Sequence, residues 1–334
     1  MRKKWKKALK YLYSRGYELG TSVREYQKGG KLSPAALRRY RDSAALVEAH
    51  SIEKGLGLRN VEPGHSGAVA RNLLSTLQEM ARDPEERESF SFRESLRIVM
   101  AYMDFQEGFD TSSFPMYPAL REQYDSLCGV LGADYMEKLR GELDAGASYI
   151  SGEELLEGAA FDFEAFIRTR HSIRSFRQEP LDEQLIRRAV QIANLSPSAC
   201  NRQPSAVYFC NYPEKVAEMD RLITGSAGFK GEVPNYLVLT TDRACFAFVE
   251  QYQWYINGGI YLAYLSLALH SLGIGHCIMQ WKAFHKTENT LKKLLGISST
   301  EAIVAVIGCG YYMEEVRCIR AQRKTAEDTL RVVK

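Results

Sequence analysis

The sequence predicts an α+β fold, with a mainly helical region over residues 1–155 followed by an α/β sandwich over residues 156–334. Two observations predict this. Residues 1–150 contain few β-branched runs and follow helical spacing, whereas short strand-like runs alternate with long helical patterns after Phe161. Small and acidic residues over 141–158 mark the change between the two patterns, and 334 residues suffice for two domains.

The first region reads as helices joined by short loops. Ser33 followed by Pro34 is typical of a helix start, because serine caps the free N–H groups and proline fits the first turn. Asp83-Pro84 is a helix breaker, and residues 108–118 form an aromatic loop that contains proline. The predicted helices run from Pro34 to Ala49, from Ser66 to Ala81 and from Glu86 to Phe105.

The second region alternates helices and strands. Asp182 is a predicted N-cap, and the residues after it place an apolar stripe on one helix face. Further helices are predicted near 246–273 and 287–296. The predicted strands are Ala206–Cys210, Tyr236–Thr240 and Ala302–Ile307.

Composition excludes several classes of protein. With 45% hydrophobic and 25% charged residues, the chain is neither disordered nor fibrous. Its seven cysteines are scattered without a C-x-x-C pair, which excludes a disulfide scaffold and a cysteine-based metal knuckle and is typical of a cytoplasmic protein.

The charge is uneven along the chain. Residues 1–41 hold thirteen Lys and Arg against two Glu, and six of these cations fall within the first ten residues. No apolar core follows them, so the start is not a secretory signal. Two interpretations stay open, a solvated helix or a weak contact with an anionic membrane surface or a partner. Nucleic-acid binding is not expected, because Trp5 is the one aromatic residue among the six cations of the first ten residues.

Residues 254–272 contain no Asp, Glu, Lys or Arg and nearly reach the length of a membrane span. Asn257, Ser266 and His270 interrupt this run, and no second span follows. The pattern therefore predicts a helix buried in a core or in a subunit interface, with no transmembrane segment.

Three short motifs carry candidate chemistry. Arg170-His171-Ser172-Ile173-Arg174-Ser175-Phe176 places two guanidiniums around a hydroxyl, and arginine binds phosphate with two parallel hydrogen bonds. Residues 196–204, S-P-S-A-C-N-R-Q-P, offer carboxamides that can pair with the edge of a heterocyclic imide. In residues 272–281, L-G-I-G-H-C-I-M-Q-W, the glycines allow a helix to end and a backbone to approach a flat ligand.

In this order, and followed by V-I-G-C-G and a basic tail, the motifs resemble the FMN-dependent nitroreductase family over residues 163–334. The resemblance implies a homodimer with a mostly antiparallel sheet flanked by helices, with FMN bound between subunits. Residues 1–155 would be an extension of the family domain. Within it, H-S-I-E-K-G-L at residues 50–56 is similar to extensions on members associated with surface-polysaccharide genes.

The resemblance also implies roles for individual residues. Arg170 and Ser172 match positions at the phosphate and ribityl end, with His171 as a neighbouring contact, and Arg174 matches a cation near N1 and the C2 carbonyl. The remaining matches are Asn201 and Gln203 at the pyrimidine edge, the backbone N–H near Gln280 at flavin N5, and Arg323, with Arg320 or Lys324 as alternates, over the phosphate.

The expected function is hydride transfer from NAD(P)H through FMN to an electron-poor acceptor such as a nitroaromatic or a quinone. This scheme needs no catalytic side chain and no metal, so His171 and His276 are expected to be structural, and His50 beside Glu53 is too small a set for a metal site. The alternative is a flavin-binding or degenerate scaffold whose basic helical half binds a partner or an anionic surface.

Overall fold

The computed structural model describes residues 33–58, 61–142, 161–226, 228–247, 249–250, 252–281, 283–319, 321 and 323–333, with Gly16, Gly20, Val23, 145–147, Ser151 and Leu156. Most of the basic start at 1–41, most of the predicted boundary at 141–158, and Arg320 lie outside these residues. Predictions that rest on them stay predictions.

The first half of the chain is helical, as predicted. Ser33 caps the first helix by accepting a hydrogen bond from Ala36 N at 3.2 Å. The long helix predicted over 86–105 is wrong in one respect, because Ser89 accepts from Phe92 N and begins a new helix there. The helices are α1 (Pro34–Leu56), α2 (Gly67–Met80), α3 (Pro84–Arg87), α4 (Phe90–Glu107), α5 (Tyr117–Leu131) and α6 (Ala133–Gly141).

This half has a hydrophobic core of its own. One cluster of buried side chains, from Ala45 to Leu139, joins α1, α2, α4, α5 and α6. Leu73, Phe92 and Tyr102 are among its fully buried members. The core therefore draws on the helical half alone, as expected for a unit that can pack by itself.

The second half is built on a four-stranded antiparallel sheet in the order β1-β2-β4-β3. The three predicted strands are present, and the structure adds a fourth, β3, within the segment that was predicted to be a glycine-rich turn. The strands are β1 (Ser205–Cys210), β2 (Asn235–Asp242), β3 (Ile274–Met279) and β4 (Glu301–Tyr311).

Helices cover both faces of this sheet. α8 and α10 pack on the face that carries Leu237 and Ile307, and α9 and α11 pack on the face that carries Val238 and Val306. The alternation along β2 and β4 follows the two-residue period of a strand. The helices are α7 (Phe163–Thr169), α8 (Glu183–Ala193), α9 (Pro213–Leu222), α10 (Gln253–Ser271), α11 (His285–Leu295) and α12 (Ala326–Thr329).

Helix α1 contacts the second half directly. Ser43 Oγ donates to the carbonyl oxygen of Cys245 at 2.6 Å, and Arg39 Nε lies 3.6 Å from Asp242 Oδ2. Within the part of the chain that the structure describes, no helix combines the length and the apolar character needed to cross a membrane.

Candidate functional site

The segment Arg170–Arg174 follows α7 and runs beside β3. Ile173 N donates to the carbonyl oxygen of His276 at 2.9 Å, and Ser172 forms a parallel bridge with His276. Further along, Arg177 N donates to the carbonyl oxygen of Tyr311 at 3.1 Å. The basic motif is thus fixed at the β3 edge of the sheet by backbone hydrogen bonds.

Glycine makes room for this segment on the sheet. A Cβ at Gly310 of β4 would lie 2.8 Å from Phe176 Cβ and 2.9 Å from Pro234 Cγ. At Gly275 of β3 a Cβ would lie 3.2 Å from Ile173 Cγ2. Because Ile173 and Phe176 are buried over these glycines, the chain between them is held close to the sheet.

The guanidiniums of Arg170 and Arg174 both act electrostatically on Cys277 of β3. Burial raises the pKa of the Cys277 thiol, while Arg174 and Arg170 both act to lower that pKa. No ion pair recorded among the described residues involves Arg170 or Arg174, and the one hydrogen bond of Arg174 goes to the Ser172 carbonyl at 3.3 Å. Two cations on one edge that have no carboxylate partner among the described residues are suited to binding an anion.

Two histidines support this edge from α10 and β3. His276 is buried; its Nδ1 donates to the Ile274 carbonyl at 3.2 Å, and its Nε2 accepts from Ser266 Oγ at 2.7 Å. Thr169 Oγ1 donates to the Phe166 carbonyl, so it accepts from His270 Nε2 at 2.9 Å. His276 is therefore a packing residue, as predicted, and His270 fixes the end of α7 directly before Arg170.

The loop at residues 196–204 has an unusual backbone. Cys200, Asn201 and Gln203 all have positive φ angles, 53°, 50° and 48°. Residues other than glycine adopt this conformation at a cost of roughly 1–3 kcal/mol each, and such residues cluster at binding sites. Gln203 Nε2 donates to Asn201 Oδ1 at 3.1 Å, so the structure brings the two predicted carboxamides together.

Helix α10 also holds this strained loop. Asn257, which is 3% exposed, accepts a hydrogen bond from Ala199 N at 2.7 Å. Tyr261 OH donates to Asn194 Oδ1 at 2.9 Å, just before the loop. The sequence contained a signal for these anchors, since Asn257, Ser266 and His270 are the polar interruptions of an otherwise apolar run, but it did not assign them to the loop or the basic motif.

One helix therefore fixes both motifs, but at opposite ends. Asn257 and His270 are thirteen residues apart, which is about 20 Å along an α-helix. No hydrogen bond or ion pair between described residues joins Arg170, Ser172 or Arg174 to the 196–204 loop. Within one chain the structure does not bring the two predicted halves of the site together.

The structure gives a separate position for each of the other predicted site residues that it describes. Gln280 follows β3 with an exposed side chain, and its backbone packs against Gly225, where a Cβ would lie 2.9 Å from Gln280 N. Arg323 lies in the exposed segment after β4, with Nη1 donating to the Ala321 carbonyl at 2.9 Å. His171 is partly buried beside Arg170. The roles of these residues, and of Arg320, stay predictions.

Metal binding has no support among the described side chains, since no group of three His, Cys, Asp or Glu residues there is arranged to hold an ion. His50 Nδ1 lies 3.3 Å from Glu53 Oε2, as an ion pair or hydrogen bond within α1.

A cavity of about 450 Å³ lies between α1 and the 196–204 loop. Arg39, Asp42 and Ser43 line it from the helical half, and Ser198, Arg202 and Gln203 line it from the loop. Its volume is within the usual range for small-molecule pockets.

Comparison with protein families gives a match within the second half. The model of the nitroreductase family matches residues 167–258 and 250–311. None of the curated proteins compared with the chain matches it.

Solved structures similar to the chain cover about half of it. A nitroreductase family protein from Streptococcus pneumoniae TIGR4 is 23% identical, with a TM-score of 0.45, 52% of this chain covered and 100% of that chain covered. An FMN-dependent nitroreductase from Clostridium difficile R20291 is 20% identical, with a TM-score of 0.44 and 50% and 98% of the two chains covered. A protein from Desulfovibrio desulfuricans, described as a nitroreductase in complex with FMN, is 19% identical, with a TM-score of 0.44 and 51% and 96% covered.

Proposed function

We propose, from the nitroreductase-family domain that residues 167–311 form, that this protein is an FMN-dependent oxidoreductase. In this proposal it passes hydride from NAD(P)H to an electron-poor acceptor of the nitroaromatic or quinone type. The observation that carries the proposal is the pair of guanidiniums at Arg170 and Arg174, which have no carboxylate partner among the described residues and flank a hydroxyl at the edge of the sheet.

The donor groups at the two motifs fit FMN. The guanidinium of Arg170 and the hydroxyl of Ser172 suit a phosphate and the polar ribityl chain, and the guanidinium of Arg174 suits the N1 and C2 carbonyl edge of the flavin. Asn201 and Gln203 are adjacent carboxamides, which present the donors and acceptors that the pyrimidine edge needs. Bound FMN would supply the ability to accept and donate hydride, and the protein groups around it would hold and orient it.

The separation of the motifs favours a site made by two copies of the chain. About 20 Å of helix α10 lies between their anchors, so the loop of one copy would meet the basic segment of another. Over residues 255–264 α10 exposes apolar side chains, which is what an obligate interface contains. These are Tyr255, Ile256, Ile260 and Tyr264, each 37–50% exposed.

The proposed hydride transfer does not require a side chain that reacts with the substrate. Two electrons and one proton leave NAD(P)H as a hydride equivalent and reach the acceptor, which takes its second proton from solvent, and NAD(P)⁺ is released. The protein binds the reactants, orients them and excludes water, and these effects lower the barrier without a protein nucleophile. A cation at Arg174 would in addition stabilise negative charge that develops on the reduced cofactor.

Flavin titration of an arginine double variant tests the proposal. Arg170→Ala with Arg174→Ala should weaken FMN binding at least a hundredfold, because the charge-assisted contact of Arg170 to the phosphate and that of Arg174 to the N1 and C2 carbonyl edge are both lost. The measurement is the quenching of FMN fluorescence by the dialysed full-length protein. Arg177→Ala is the matched control, since Arg177 is exposed, lies three residues after Arg174 and should leave the affinity unchanged. Equal affinity in the double variant and the wild type would contradict the assignment.

A further inference from the structure

Arg202 lies in the strained loop between Asn201 and Gln203, the two residues assigned to the pyrimidine edge of the flavin. The Arg202 side chain is 8% exposed, whereas Gln203 is an exposed residue. Nη1 of Arg202 donates to Glu250 Oε1 at 2.8 Å, and the guanidinium carbon lies 5.2 Å from the centre of the Phe246 ring. The cation is therefore bound inside the protein, between two residues that carry carboxamides.

Glu250 is held in place as the partner of this cation. Its Oε2 accepts from Ala247 N at 2.7 Å, so both carboxylate oxygens are hydrogen-bonded. Burial acts to raise the pKa of Glu250, but the hydrogen bonds from Arg202 and Ala247 outweigh burial, and the pKa is lowered. Glu250 is therefore ionised at neutral pH, and it forms a charged pair with Arg202.

The segment that carries Glu250 is also fixed by the helical half. Ser43 Oγ of α1 donates to the Cys245 carbonyl at 2.6 Å. Three residues earlier, Asp242 N donates to the carbonyl oxygen of Pro204 at 2.9 Å, at the end of the strained loop. This segment therefore contacts both α1 and the loop, and it ties the loop to the rest of the molecule.

A strained loop keeps its conformation only where the surrounding contacts hold it. The positive φ angles are at Cys200, Asn201 and Gln203. Gln203 N donates to Ser198 Oγ at 3.0 Å, which is a bond within the loop. The side chain of Arg202 instead bonds outside the loop, at the centre of the strained residues. The Arg202–Glu250 pair is thus placed to hold these backbone angles.

The two carboxamides that flank Arg202 match one edge of a flavin ring. Gln203 Nε2 donates to Asn201 Oδ1 at 3.1 Å. Nδ2 of Asn201 and Oε1 of Gln203 have no hydrogen bond to any residue in the described part of the chain. This donor and this acceptor suit the pyrimidine edge, where the N3–H donor lies between two carbonyl oxygens.

We propose that Arg202 is a positioning residue, which through its pair with Glu250 holds the strained loop so that Asn201 and Gln203 face N3–H of a bound flavin. Arg202 acts through these carboxamides and does not itself contact the flavin. This inference rests on the proposed function for the identity of the ligand as FMN.

A flavin that lacks the N3 hydrogen tests this positioning. N3-methyl-FMN carries a methyl group there and is otherwise identical to FMN. Quenching of flavin fluorescence by the dialysed full-length protein should show that the wild type binds FMN at least about tenfold more tightly than the analogue, because the methyl group removes a hydrogen bond and leaves polar groups unpaired.

Arg202→Met removes the cation and keeps an unbranched side chain. Binding of FMN should weaken at least about tenfold in this variant, because Glu250 loses its partner and the loop is released. The preference for FMN over N3-methyl-FMN should fall below about threefold, because the carboxamides no longer stay at the N3 edge.

Arg187→Met is the matched control. Arg187 on α8 is also paired with a carboxylate, that of Glu183, but both side chains of this pair are exposed. The control should keep the wild-type preference. Arg202→Lys keeps a cation for Glu250 and should restore a preference of at least about fivefold. Glu250→Ala breaks the same pair from its other side, should lose the preference as Arg202→Met does, and provides a second readout if Arg202→Met fails to fold.

The ratio of the two affinities separates this inference from a merely structural role and from the proposed function. Lower stability alone reduces the folded fraction and weakens both flavins equally, so the ratio would not change. A wild-type ratio in Arg202→Met or in Glu250→Ala, or a wild type that binds both flavins equally, would overturn the inference and leave the flavoprotein standing. A wild type that binds neither flavin would overturn the proposed function and this inference together.

Discussion

His276 illustrates how a buried side chain can make the proposed site depend on pH. It is 1% exposed and neutral, with both ring nitrogens hydrogen-bonded, and its carbonyl accepts from Ile173 N next to the basic motif. Burial is the main cause that lowers its pKa from 6.5 to about 4, and the nearby Arg170 cation adds to this. Protonation therefore opposes the folded state at the point where the motif meets the sheet.

The stability of the protein should accordingly fall in acid. Between pH 6.5 and about 4 the unfolded chain binds a proton at His276 that the folded chain does not, so stability is complete above pH 6.5 and is lost as pH falls through this window. The loss from this residue is at most about 3 kcal/mol, at 1.36 kcal/mol per pKa unit. Urea unfolding of the wild type and of His276→Gln at pH 7, 5.5 and 4.5 measures this loss of unfolding free energy. If the unfolding free energies of the two proteins fall in parallel with pH, His276 is not the cause of the loss.

The sequence pattern predicted only some residues of the candidate site. Arg170, Ser172 and Arg174 were predicted because a basic cluster around a hydroxyl has a direct chemical use. The anchors at Asn257, Tyr261 and His270 were not assigned, because their hydrogen bonds join residues 58 to 101 positions apart. Such contacts follow from tertiary packing, which local spacing does not reveal.

At the scale of elements, β3 is the strand that the sequence did not predict. It contains Gly275 and His276, which favour strands weakly, so the segment read as a turn. It forms a strand because it pairs with β4 from Ile274–Tyr311 to Met279–Val306. By contrast, β1, β2, β4 and most helices were predicted, since their apolar periodicity is local.

Helix α10 was predicted to be buried on all sides, in a core or in an interface. Its buried side packs on the sheet, and its other side exposes the four apolar residues Tyr255, Ile256, Ile260 and Tyr264. We expect Ile256→Asp to turn a dimer into a monomer and to weaken FMN binding at least tenfold. An aspartate near the start of a helix favours the helix itself, so loss of α10 is not the cause.

Light scattering coupled to size-exclusion chromatography measures the change in Ile256→Asp. Val130→Asp is the control, because Val130 on α5 is 55% exposed against 50% for Ile256. The control should remain dimeric and keep FMN. A wild-type monomer would show that this interface does not form, and an unchanged dimer in Ile256→Asp would place the interface elsewhere. Either result would remove the argument for a shared site.

In the whole molecule, α1 joins the helical half to the half that the nitroreductase family model matches. The resemblance stated from sequence motifs is confirmed for the second half by the family match. The sequence did not indicate the function of the first half, because the residue pattern of that half does not show where it packs. The contacts at Asp242 and Cys245 bring α1 of the first half to the loop of the candidate site, with a cavity between them.

Anaerobic reduction of the flavin tests the central claim most directly. The purified full-length protein, supplemented with FMN and freed of excess, should show the visible absorption bands of bound flavin. Addition of NADH or NADPH should bleach those bands, and a nitroaromatic or quinone added afterwards should restore them. A protein that retains no FMN, or bound flavin that neither nucleotide bleaches, would contradict the account and favour a scaffold role for the chain.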